Sequence, residues 1–459
     1  MEKLNFQDAA FLNMESASHP FHIGALMILK APEGAPANYF RKLGATLGRL
    51  NEVWPIFNRK LENPEEPGSS GWVIEDNYSP GHHIHHYALP RPGKMNDALQ
   101  LVCRAHERQL DRYRPLWEMH IIEGLPRGRF ALYCKAHHAL LDGAAALQLS
   151  RGLLSDNPRA KIDLGRAEAA IHKEHGRRSL INRLASAGHD LLDQYRALPE
   201  ITALLAHMGM AALRGSDDTM KMPFTAPRSL FNTEIDPSRE VVTCDLPLPR
   251  VKALAKTTGG SINDVLLSIC GGALRTYLQG QQALPRKSLL AGMPVAIRSE
   301  EPHTGNHLSF IISPFFTNEK DPLKRLKKVI KVTRSAKQEL ASVSTTAARD
   351  YSNLIMIPTM LLTLTGNATR VTPAINAIFS NVPGPRERLF LQGAELESMY
   401  PLSVVTAGMG INLTVVSYNQ RLCFAVTSCP TEQPGIDQLG KYLKESYREL
   451  AAAIAQESS

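Results

Sequence analysis

The residues best suited to chemistry lie in KAHHALLDGAAAL, Lys135 to Leu147. Two adjacent histidines, His137 and His138, stand five and four residues before Asp142 in an Asp-Gly pair, with apolar residues between. An imidazole titrates near pH 6.5, so a neutral ring can take a proton from a bound substrate. The preceding RFALYCKAHH reads as a strand. Side chains alternate across a strand, so His137 and His138 point to opposite faces and only one can address a given cleft. Zinc would want a third ligand at helical or hairpin spacing, as in HExxH, and none stands nearby. Asp142-Gly143 is turn chemistry, followed at once by the small-residue helix GAAALQLSRGLL. A strand, a tight loop and a helix start can hold one imidazole rigidly while a nearby carboxylate fixes the loop. A buried pair making ordinary hydrogen bonds is the structural alternative.

Other patterns are weaker. In HHIHH, His83 and His85 are two apart on an expected strand and share a face. The ligand spacing is poor, so a strand without metal is expected there. GIDQLGKY matches GxxxxGK in form only: it ends in Tyr442 and follows a proline turn, so it lacks both the magnesium hydroxyl and the strand. GMGINL lacks the third glycine of a dinucleotide fingerprint, and no G-x-S-x-G elbow occurs. Ser261 can cap a helix that Asn263 and Asp264 open. In Pro115-Leu116-Trp117, proline opens a strand and tryptophan packs.

The elements that must position these groups fall into two halves. A chain of 459 residues is too long for one ordinary core. With 43% hydrophobic and 21% charged residues it is globular rather than disordered. Strands and helices alternate up to residue 154, an expected first lobe of residues 1–154. Residues 155–239 lose the strand pattern and read as a helical crossover, and residues 240–459 return to mixed strands and helices. The fold class is therefore α/β, in two lobes. The six cysteines are scattered with no C-x-x-C pair, as in a reduced, cytoplasmic protein. No secretory signal pattern opens the chain. The most apolar run, LIMIPTMLLTL from Leu354 to Leu364, is short for a bilayer and interrupted by Pro358. Membrane contact is thus expected to be peripheral. The charge of +8 is mild, suiting anionic headgroups or phosphorylated substrates without naming either.

HHxxxDG is the signature of the coenzyme A-dependent acyltransferase superfamily, which includes chloramphenicol acetyltransferase and peptide-synthetase condensation domains. Within it, LDRYRPLWEMHIIEGLPRGRFALYCKAHHALLDG resembles the bacterial wax ester synthase/diacylglycerol acyltransferase family. MESASHPFHIG, HHIHHYALPRPG, SINDVLL, MPVAIR and FSNVPGP fit the same family, from about residue 4 to residue 430. The resemblance implies two chloramphenicol-acetyltransferase-like lobes, mixed sheets flanked by helices, and a channel at their interface. It implies that His138 is a general base, with His137 supporting it. Asp142 then orders the loop through an ion pair, for which Arg298 is the candidate partner. Gly143 leaves space for the pantetheine arm. Asn263, Asp264, Arg298, Pro115, Leu116 and Trp117 become candidates for the substrate channel. The expected substrates are acyl-coenzyme A and a long-chain alcohol or diacylglycerol, with no cofactor, no metal and no nucleic acid. Contact with a membrane or lipid-droplet surface is expected. The basic helix LKRLKKVIKVTRSAKQEL, with Leu323, Leu326, Val329, Ile330 and Leu340 on one stripe, offers a solvated face, a membrane contact or a phosphate contact. The alternatives are an ester- or amide-forming condensation enzyme and a non-catalytic lipid-surface protein.

Overall fold

Apolar runs bounded by turn residues become the strands of two six-stranded mixed sheets, seen in a computed structural model. It describes residues 2–4, 6–67, 70–141, 143–160, 199, 202–210, 219–296 and 308–457. A short opening strand β1 (Glu2–Lys3) precedes helix α1 (Phe6–Met14). Next come β2 (His22–Lys30), α2 (Tyr39–Leu47), β3 (Arg59–Leu61), β4 (Gly71–Ile74), β5 (Ile84–Ala88) and α3 (Met95–Glu107). The segment carrying the two histidines is β6 (Trp117–Leu125), β7 (Arg129–His137) and α4 (Gly143–Leu153). The second half contributes β8 (Glu240–Pro247), α5 (Leu248–Thr258), α6 (Ile262–Gly280), β9 (Leu290–Ala296) and β10 (Leu308–Pro314). It continues through α7 (Pro322–Ala341), α8 (Thr345–Leu364), β11 (Ala377–Pro383), β12 (Phe390–Leu391) and β13 (Ala394–Leu402). It closes with β14 (Ile411–Tyr418), β15 (Arg421–Ser428) and α9 (Leu439–Glu457).

The first sheet runs β12-β13-β2-β7-β6-β5 and the second β10-β9-β11-β14-β15-β8, while β1, β4 and β3 form a small third sheet. The first sheet does not belong to the N-terminal half alone. Ala394–Leu402 pairs antiparallel with β2, so the C-terminal half completes it. Val241, Val416, Tyr418, Cys423 and Ala425 of the second sheet are also buried in the first lobe's apolar cluster. Tyr418 fixes the seam: its hydroxyl donates to Leu396 O at 2.9 Å and accepts from Leu389 N at 2.9 Å.

Local chemistry explains the helix ends. Ser261 and Asp264 form a capping box at the start of α6. Asp321 accepts from Leu323 N and Lys324 N at the start of α7, where Pro322 needs no N–H partner. Two readings are revised. Helix α8 continues through Pro358 instead of being interrupted there. Arg325 leaves the basic face of α7 and is buried, its guanidinium donating to Ser268 O at 3.1 Å and Glu319 O at 2.9 Å. Burial lowers its pKa to about 10. Lys328 pairs with Glu319 at 2.8 Å, so the expected basic stripe is partly neutralised. Much of the 155–239 crossover lies outside the described residues; within it, 202–210 is helical.

Candidate active site

Strand β7 ends at His137, which faces His22 across the β2–β7 pairing. His138 N donates to Phe21 O at 2.8 Å, which carries that pairing one step further. The chain then turns: Leu140 N and Leu141 N both donate to His137 O, at 2.9 and 3.1 Å. The two imidazoles are inequivalent. His137 is fully buried, and its Nδ1 accepts from Ala139 N at 3.1 Å. That bond leaves the ring proton on Nε2, which lies 3.6 Å from Glu15 Oε1. Burial, with the charges of His138 and Arg112 adding to it, lowers the His137 pKa to about 3. A ring so hard to protonate, tied to the loop's own backbone, is suited to shaping the turn.

His138 is half-buried and leans on Phe11, with ring centroids 4.8 Å apart and planes at 54°. Phe11 stacks on Phe21 at 5.7 Å. Met360 of α8 and Val404, just after β13, pack against the cluster of Phe11, Met14 and Phe21. His138 therefore leans on an apolar cluster of α1 and the approach to β2, against which residues of the C-terminal half also pack. Under α4 lies an apolar cavity of about 60 Å³, lined by Ile23, Ala25, Met119, Cys134, Ala136 and Leu149 among others. Ala136 and Cys134 share the face to which alternation assigns His138. The cavity lining does not include His138.

Glu15 and Arg112 are the residues that sequence reasoning missed. The Glu15 side chain is 1% exposed and accepts from Phe21 N at 3.2 Å and from Arg112 Nε and Nη2 at 3.2 and 3.1 Å. Arg112 also donates to Leu12 O at 2.8 Å. Burial pushes the Glu15 carboxyl up despite the guanidinium beside it. The pair ties α1, the loop before β2 and the segment before β6 together behind His137. Both residues lie in stretches already noted, MESASHP and LDRYRPLW, but nothing local to either announces the pairing.

The remaining candidates separate. Gly143 opens α4 and is exposed, and a Cβ there would meet no atom within 4 Å. Asp142 and Arg298 lie outside the described residues. Leu116 is buried and its carbonyl accepts from His137 N at 3.0 Å, so Pro115-Leu116-Trp117 supports the histidine from the neighbouring strand. Trp117 donates to Phe57 O at 2.8 Å, stacks on His83 and lines the cavity. Asp264 is buried and occupied, by Ser261 N at 2.7 Å and Thr333 Oγ1 at 2.6 Å. Asn263 Oδ1 accepts from Asn381 Nδ2 at 2.5 Å, which joins the SINDVLL and FSNVPGP motifs. The histidines of HHIHH also split. His83 Nδ1 donates to Trp117 O at 2.8 Å, while His85 meets Glu118 and His120, the one group among the described residues whose ligand atoms could share a metal.

Comparison with known proteins shows the family and the fold. The model of the wax ester synthase/diacylglycerol acyltransferase catalytic domain matches residues 4–266, and that of the family's C-terminal domain matches residues 304–451. An Acinetobacter baylyi O-acyltransferase, WSD, is 31% identical over 466 residues, covering 100% of this chain and 98% of the relative. A candidate diacylglycerol O-acyltransferase of Mycobacterium tuberculosis is 35% identical over 450 residues, 97% of this chain and 99% of its own. The wax ester synthase/diacylglycerol acyltransferase structure from Marinobacter aquaeolei VT8 superposes with a TM-score of 0.78 at 32% identity, covering 99% of this chain and all of that one. The first condensation domain of the CDA synthetase, at 14% identity and a TM-score of 0.59 over 100% of this chain and 96% of its own, shares the two-lobe fold. The chain belongs to the wax ester synthase/diacylglycerol acyltransferase family and is an acyltransferase.

Proposed function

We propose that this acyltransferase moves a long-chain acyl group from acyl-coenzyme A to a fatty alcohol or diacylglycerol, with His138 as general base. His138 takes the hydroxyl proton as the alcohol oxygen attacks the thioester carbonyl. The C–S bond then breaks, and the departing coenzyme A sulfur receives the proton. General-base help of this kind contributes roughly 10²–10⁴ in rate, and alignment of the two substrates supplies more. The observation that carries the reading is the asymmetry of the two histidines. One is buried and bonded to its own loop, and the other is half-buried against Phe11 where the two halves of the chain meet. Asp142, paired with Arg298, would hold the loop from the other end.

A lipid surface is the natural source of such acceptors, and α8 supports contact with one. Leu354, Ile357, Leu361 and Leu364 recur at helical spacing and are each 43–55% exposed, while Ala348, Tyr351 and Ile355 turn inward. No helix among the described residues is long and apolar enough to cross a membrane, so α8 would lie on the surface.

The test is thiol release from palmitoyl-coenzyme A with hexadecanol and with diacylglycerol in parallel. His138→Ala should lower turnover about 10²–10⁴-fold with an unchanged melting temperature. Turnover near the parent level would remove His138 from the role.

A further inference from the structure

On the other face of the first sheet, away from His138, polar side chains collect where a core would ordinarily be apolar. Glu118 and His120 are two apart on β6 and share a face, and His85 on β5 pairs directly with His120. Each of the three offers a ligand atom, and these atoms lie within 4.8 Å of one another. We propose that His85, Glu118 and His120 form a binding site for a divalent transition metal of the zinc class.

Two imidazoles and a carboxylate are the donors that zinc and its first-row neighbours accept, and an open position remains for water. Two adjacent strands fix the spacing, which a flexible loop would not. His120 is 4% exposed, and its Nδ1 has no hydrogen-bond partner among the described residues, although its Nε2 lies 3.2 Å from Glu118 Oε2. A buried nitrogen left without a partner costs free energy, and a cation bound through it would relieve that cost. His85 is half-buried on the sheet's edge strand, which gives an ion a way in from solvent.

Lys135 opposes the site. Its ammonium lies 3.7 Å from Glu118 Oε2, but it is held by Ala105 O at 2.9 Å and Arg108 O at 2.5 Å. An arriving ion shares the carboxylate with that cation, which weakens binding without displacing the lysine. The consequence of binding is mechanical: the ion fastens β5, joined to the sheet only through its parallel pairing with β6, to the strand beside it.

The experiment uses the full chain, freed of metals by chelator dialysis, and titrates it with Co(II) by visible absorbance and with Zn(II) by calorimetry. One equivalent of Co(II) should produce a ligand-field spectrum that Zn(II) displaces, and Zn(II) should raise the melting temperature. His120→Ala and His85→Asn should each weaken binding about tenfold or more. The half-buried edge position makes His85→Asn the gentler change, so it decides the matter should His120→Ala fail to fold. Absence of binding, or parent affinity in His85→Asn, overturns the site; retained affinity would assign the ion to other imidazoles such as His82 and His86. Either result leaves the role of His138 untouched, because that residue works on the opposite face of the sheet.

Discussion

At the scale of single residues, the unequal burial of His137 and His138 was legible from the alternation of a strand. One ring had to face the core, and the structure buries His137 completely. What stabilises that ring was not legible, because Glu15 and Arg112 are 97 residues apart and meet only through the fold. Their ion pair makes a specific demand. Glu15 is buried deeply enough that its carboxyl is already pushed up, and Arg112 counteracts that shift. In Arg112→Met the shift grows. The folded state then holds a proton that the unfolded chain has released, so stability falls as pH rises from the unfolded value toward the raised folded one. The gap in melting temperature between the parent and Arg112→Met should therefore widen as pH rises from 5 to 8, by up to about 1.4 kcal/mol of stability per pH unit. Parallel curves would show that the pair does not hold Glu15 ionised.

At the scale of elements, most strands and helices follow from hydrophobic period and capping. Helix α6 begins at the Ser261 box, and the buried residues of α7 include most of its apolar stripe. The polar face of the first sheet was not legible, since a histidine on a strand does not reveal whether its face meets water or α3. His22, His106 and His137 are all buried, and burial pushes His106 and His137 down to about 3 and His22 well below its usual range. Unfolded rings take up protons near pH 6.5 while these do not, so their contribution is whole above 6.5 and is lost as pH falls. Each costs about 1.4 kcal/mol per pH unit below 6.5. The melting temperature should drop clearly between pH 6.5 and pH 5, and His22→Asn should flatten that slope. An equal slope in the variant would deny His22 a part in it. Helix α8 gives a second element-scale expectation. Replacing Ile357 and Leu361 with glutamate should reduce flotation with phospholipid vesicles by about tenfold or more per residue, given about 1.5–3 kcal/mol for each buried aliphatic side chain. Both residues are exposed, so the melting temperature should hold; undiminished flotation would move lipid contact elsewhere.

At the scale of the whole molecule, the two-lobe α/β architecture could be read from the order of elements, but the composition of the lobes could not. Strands β12 and β13 carry no pattern that tells which sheet they join. Strand β13 joins by pairing with β2, hundreds of residues earlier, and β12 joins through β13, while Tyr418 and Val416 pack in the same apolar cluster. This has a bearing on how the protein is made. A growing chain completes β2, β7 and β6 early, and these can pair as soon as they emerge. The outer edge of β2 finds its partner only after residue 394 has left the ribosome. At about 5–20 residues per second that delay is some tens of seconds, during which an apolar strand edge stands open to other nascent chains. A cell producing this enzyme has that edge to shield until about the last seventh of translation.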